Sequence, residues 1–85
     1  MVKKSGMQYT RHFREMLKER QIPMSLIKRT LEGSQKVEEH GDGTKHFLRQ
    51  APEFGNRWLR VVVNVGAVPH KAITAFFDRR LRGEQ

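Results

Sequence analysis

Arg57-Trp58-Leu59-Arg60-Val61-Val62-Val63-Asn64-Val65 is the stretch on which the fold turns. Three successive valines, each branched at Cβ, favour an extended chain over a helix. Side chains alternate along a strand, so Leu59, Val61, Val63 and Val65 share one face, while Trp58, Arg60, Val62 and Asn64 share the other. A strand with one strongly apolar face requires a second layer to bury it. Moving downstream, residues 66–70 read as a turn and 71–78 as another strand. There Ile73, Ala75 and Phe77 are expected inward, with Thr74, Phe76 and Asp78 on the open face. Moving upstream, 51–56 reads as a loop. Gly41-Asp42-Gly43 is a tight-turn signal between strands 36–40 and 44–50. In 44–50, Leu48 reads as the inward residue, which places Phe47 and Arg49 on the open face. Consecutive strands with short connections predict an antiparallel meander.

The covering layer comes from the first third of the chain. Tyr9, Phe13, Met16 and Leu17 recur at helical spacing. Thr10 suits the N-cap, and the helix should end near Gln21. Pro23 fits the first turn of a second helix, whose stripe is Leu26, Ile27 and Leu31. Gly33 is the expected stop, through a left-handed conformation. Two helices this short need a partner layer. The fold class is therefore α+β, with two N-terminal helices packed on a four-stranded antiparallel sheet. One domain is expected over 1–85, with a loose arm at 1–8 and a loose tail at 82–85.

Composition restricts function. The 85 residues hold 17 Lys plus Arg against 9 Asp plus Glu, a net charge of +8. That excess on so small a domain implies an anionic partner. No apolar run approaches the roughly 20 residues of a spanning helix, so no membrane role is expected. Cysteine is absent, which excludes disulfides and thiolate chemistry and fits a reducing, cytoplasmic setting. No phosphate-loop or metalloprotease motif is present, and no cofactor or metal is expected.

The open face interleaves Phe47, Trp58 and Phe76 with Arg49 and Arg60. Aromatic rings stack on unpaired bases, and guanidinium groups grip phosphates. The alternative is that Trp58 and Phe76 form a second core cluster or a homodimer interface. His12 falls in the first turn of helix one, where a neutral imidazole can act as a general base. His40 and His46 straddle the Gly41–Gly43 turn and can face each other across a hairpin, but two histidines without a fixed carboxylate make a weak metal signal. Asp78-Arg79-Arg80-Leu81-Arg82 is a local phosphate-binding candidate in which Asp78 can orient Arg79, Arg80 or His12.

Tyr9-Thr10-Arg11-His12, Arg20, the Gly41–Gly43 turn, the run from Arg57 to Val63 and Thr74-Ala75-Phe76-Phe77-Asp78-Arg79-Arg80 resemble a family of small bacterial proteins of unknown function. Its layout is similar to that of BrnT- and RelE-type toxins, the ribonuclease partners of toxin–antitoxin pairs, and to barnase. The resemblance implies a metal-independent ribonuclease directed at RNA and neutralised by an acidic, antitoxin-like protein. It implies catalytic roles for His12, Arg49, Arg60, Asp78 and Arg79, and RNA contacts by Phe47, Trp58, Arg11 and Arg80. The alternatives are a non-catalytic basic module for nucleic acid or an acidic protein, and a structural homodimer.

Overall fold

A computed structural model describes residues 7–81. The chain runs α1 (Arg11–Arg20), α2 (Met24–Glu32), β1 (Lys36–Glu39), β2 (Thr44–Ala51), a short 3-10 turn (Pro52–Phe54), β3 (Arg57–Asn64) and β4 (Lys71–Phe77). The strands form one antiparallel sheet in the order β1-β2-β3-β4, with both helices on one face. This is the expected α+β layout. Residues 1–6 of the expected arm and the tail at 82–85 lie outside the described residues. Met7 and Gln8 are in place: Met7 packs against the core, and Gln8 bridges Lys71 in parallel.

Local chemistry sets the helix ends. Thr10 Oγ1 accepts from the Phe13 amide at 3.1 Å, satisfying a donor that has no partner within the helix. At the other end Gln21 adopts the left-handed conformation at φ 57°. The Gln21 amide then bonds the Lys18 carbonyl and the Ile22 amide the Leu17 carbonyl, a Schellman closure that also buries Ile22 and Leu17. Gly33 ends α2 differently from expectation. Its φ is −133°, outside the left-handed region. Its carbonyl accepts from Arg49 Nη1 at 2.6 Å, and a Cβ there would meet that nitrogen at 3.2 Å. Close approach of a side chain, not backbone handedness, is what glycine permits at this position.

The core lies between the helices and one sheet face. Phe13, Leu26, Ile27, Leu59, Val61 and Val63 are fully buried there. Two strands differ from the sequence expectation. Phe47 is paired with Val61 and packs on the core, so β2 is in the opposite phase. Arg49, opposite Leu59, points to the helix side, and Leu48, opposite Arg60, lies on the other face. Leu48 is nonetheless fully buried, because the helix-free face carries a buried patch of its own with Val62, Arg60 and Asp78. Two apolar residues in a row left the phase to the pairing register. In β4 the ladder slips between Val62 and Val63, so that Thr74 opposes Val62 but Ala72 opposes Val63. Ile73 is the extra residue of this bulge and is exposed, and Ala72 takes the core position.

The outer edge of β4 is covered from both ends. Gln8 donates to the His70 carbonyl and accepts from the Ala72 amide. Arg20 Nη1 reaches the Ala75 carbonyl at 2.7 Å and the Thr74 hydroxyl at 3.2 Å. An edge capped in this way cannot recruit a further strand.

The left-handed Gln21 generates a stability prediction. A non-glycine residue there carries about 1 kcal/mol of steric cost. Gln21→Gly should raise unfolding free energy by about 0.5–1 kcal/mol in urea titration, with the m-value unchanged.

Candidate active site on the helix-free sheet face

The sheet face without helices carries a connected network of charged and imidazole groups. Its centre is Arg60, which points out of β3 beside Leu48 and Phe76 and is buried. Arg60 Nε and Nη2 each lie 2.8 Å from Asp78 Oδ2. Arg60 Nη1 donates to Glu38 Oε1 at 2.9 Å and to His46 Nδ1 at 2.7 Å. Glu38 and His46 are register partners across β1 and β2, which puts them side by side over the guanidinium. Asp78 follows the end of β4, where its amide still bonds the Trp58 carbonyl and extends the ladder. Its second oxygen holds Arg80 through the backbone amide and Nε, each at 3.0 Å, and Arg80 Nη2 returns to Oδ2 at 2.9 Å. The Arg80 side chain is otherwise mostly exposed.

His40 completes the network beyond the end of β1. Its Nε2 lies 3.1 Å from Glu38 Oε1, and its ring stacks on His46 at a centroid distance of 3.7 Å. The hydrogen bonds assign the tautomers. A guanidinium has no lone pair to offer, so His46 Nδ1 must accept and neutral His46 carries its proton on Nε2. A carboxylate has no proton to give, so His40 donates from Nε2 and neutral His40 keeps its lone pair on Nδ1. The face thus holds one imidazole able to take a proton and one able only to donate a hydrogen bond.

Electrostatics agree with this division. Burial, then the neighbouring His40 and Arg60 charges, hold His46 below its ordinary value. Arg60, followed by His40, pulls Glu38 down. Hydrogen bonds from Arg80, followed by those from Arg60, hold Asp78 well below the usual carboxylate range. Both carboxylates are ionised at neutral pH and balance the two arginines.

Glu38, His40 and His46 bring one ligand atom each within 4.8 Å of one another, a spacing a divalent ion can bridge. The guanidinium of Arg60 already occupies Glu38 Oε1 and His46 Nδ1. The two rings are tilted by only 17°, so their lone pairs lie in nearly parallel stacked planes and do not converge on one point. The group is built as a hydrogen-bond network around a cation.

The structure brings Arg60, Asp78 and Arg80 together and disperses the other sequence candidates. Trp58 stands on the same face, half-buried, with Lys36 Nζ 5.6 Å from its ring centre. Phe47 and Arg49 are on the helix side. His12 and Arg11 are exposed on α1, with the sheet between them and Arg60. Arg79 is exposed. Among the described residues no hydrogen bond joins His12 to Arg49, Arg60 or Arg79, and Asp78 orients Arg80 and Arg60 rather than His12. Sequence reasoning passed over Glu38. The signal was available in the two-residue spacing of Glu38 and His40 on β1, opposite His46 in a hairpin, which supplies the carboxylate that the histidine pair lacked.

The sequence matches, over residues 9–77, the family described as a domain of unknown function (DUF4258). No curated protein and no solved structure matches the chain.

Two predictions follow the buried charges. Asp78→Ala should cost about 3–5 kcal/mol in urea unfolding, because Arg60 loses its main counter-charge in a buried site. The double variant Arg60→Met/Asp78→Leu should recover much of that loss. The second concerns pH. His46 binds protons less readily folded than unfolded, so its contribution is complete above the ordinary histidine value of about 6.5 and is lost as pH falls below it. Asp78 and Glu38 act likewise, but only below about pH 4. Melting temperature should therefore fall as pH drops below about 6.5, and His46→Gln should flatten that limb while leaving the acid limb below about pH 4.

Proposed function

We propose that this chain, which belongs to the DUF4258 family, is a metal-independent endoribonuclease of the toxin type, working in the cytoplasm and related in mode of action to the BrnT and RelE toxins. The observation that carries the reading is the Glu38–His40 pair. A carboxylate fixes one nitrogen of an imidazole, Nε2, and leaves the lone pair on Nδ1, on a helix-free sheet face set with a buried Arg60 and the exposed Arg80. Such a pair is a general base with a built-in stabiliser for the imidazolium it becomes. RNA carries the matching reactant, a 2′-hydroxyl next to a phosphodiester.

In the proposed reaction His40 Nδ1 takes the proton of the 2′-hydroxyl, and the 2′-oxygen forms a bond to phosphorus. The bond from phosphorus to the 5′-oxygen breaks, and water protonates the leaving oxygen. The products are a 2′,3′-cyclic phosphate and a 5′-hydroxyl, and imidazolium His40 returns its proton to solvent. Glu38 offsets the charge on His40 during the step. His46 Nε2–H and Arg80 supply donors for the non-bridging phosphate oxygens, where negative charge grows. Arg60 acts one step back: its guanidinium fixes Glu38, His46 and Asp78, so it is a positioning residue. Trp58, beside Lys36, offers a ring on which an unpaired base can stack. The role of base that the family resemblance lent to His12 passes to His40.

The test is incubation of purified protein with single-stranded RNA in EDTA. Cleavage should proceed and leave cyclic phosphate ends. His40→Ala should lower the rate by about 10²–10⁴-fold, whereas His12→Ala should leave it unchanged. With about three to five phosphates contacted, binding should weaken with salt at a log–log slope of about −2 to −4. Salt-dependent binding with no cleavage at micromolar protein replaces the enzyme with a binding module. Cleavage retained in full by His40→Ala removes the dyad from the mechanism.

A further inference from the structure

The helix side of the molecule carries a second feature that the RNA reading does not use. A groove of about 810 Å³ runs between α1, the α1–α2 connection and the 3-10 turn. Its floor is apolar: Leu17 and Ile22 are nearly buried, and Met24 and Phe54 are half-buried. One wall is cationic. Arg11, Arg14 and Lys18 follow one another at spacings of three and four residues, so they stand as one stripe along α1, with Glu15 the single acidic member. Arg14 leans on Tyr9, with its Nε 3.4 Å from the Tyr9 carbonyl. Arg11 and Lys18 make no ion pair among the described residues.

We infer that this groove is the docking site of an acidic amphipathic helix from a partner protein. The floor takes apolar side chains from one face of that helix. Carboxylates at the same spacing of three and four residues meet the stripe on α1. The chemistry selects this occupant over others. RNA gains nothing from a floor that is mainly aliphatic, since bases need flat rings to stack on. A second copy of this chain brings a net charge of +8 of its own, and its α1 face presents the same cations. The volume matches what a few buried side chains occupy. The groove and the Arg60 network lie on opposite sides of the sheet, so the inference stands independently of the ribonuclease reading.

The probe is a fluorescein-labelled helical peptide of about 18 residues with leucine on one face and glutamate flanking it, in fluorescence anisotropy at physiological salt. Saturable binding is expected. Met24→Glu should weaken it at least about tenfold by placing a charge on the floor, as should Arg14→Glu/Lys18→Glu by reversing the stripe. The second variant alters only exposed residues and keeps the test decisive if Met24→Glu lowers the circular-dichroism melt. Four results overturn the inference. They are absence of binding, equal binding by the variants, equal binding of a peptide with lysine for glutamate, and displacement by a single-stranded RNA dodecamer. A sedimentation dimer abolished by Met24→Glu would reassign the groove to self-association. RNA cleavage by Arg14→Glu/Lys18→Glu should match the wild type, which separates this result from the fate of the ribonuclease reading.

Discussion

The contact between Arg60 and Asp78 organises everything on the helix-free face. A guanidinium has five donors fixed in one plane, and here four directions are taken by three acceptor residues from three parts of the chain. Asp78 sits past the end of β4, Glu38 near the end of β1 and His46 within β2. Strand pairing brings these segments to the guanidinium, and the contacts with it join their side chains into one network. A buried charge is expensive to desolvate, and the pair returns that cost only because its geometry is close and its remaining donors are used. The arrangement is thus less a source of net stability than a device that admits one arrangement of the face.

The same contact explains why the valine strand carries an arginine at its centre. The odd-numbered residues of β3 satisfy the helices, and Val61 and Val63 could be exchanged for other apolar residues of similar volume at modest cost. Arg60 has no such freedom. Its partners come from β1, β2 and the residue just past β4: two carboxylates to balance its charge and an imidazole that can only accept at Nδ1.

The fold was legible because period-two and period-3.6 patterns differ, and each long element keeps one of them. The phase of β2 was not, since Phe47 and Leu48 are both buried, one on each face, and alternation cannot rank them. The bulge at Ile73 was hidden for a related reason: Ala72 is too small to announce a core position beside a larger neighbour. The site divided along the same line. Arg60 and Asp78 stood out as charged residues in apolar strands. Glu38 did not, because in Lys36-Val37-Glu38-Glu39 it looks like any exposed charge, and its partner Arg60 is brought to it only across β2. His12 drew attention through local helix chemistry, which says nothing about the face of the sheet a residue will meet.

One consequence follows from where the sheet is left uncovered. β4 is closed off by Gln8 and Arg20, but β1 is four residues long, bears a half-exposed Val37 and, among the described residues, pairs with β2 alone. Glu38 lies on that strand and His40 just beyond it. Edge segments of this kind open locally at a free energy well below that of global unfolding. Fraying of β1 would separate Glu38 from Arg60 and His40 from His46 while the helices and β3 stayed intact. The network around Arg60 therefore has a lifetime of its own, visible in native-state amide exchange as a faster class of protons in β1 than in β3. The integrity of this face thus follows the closing of one short strand more closely than the stability of the domain that carries it.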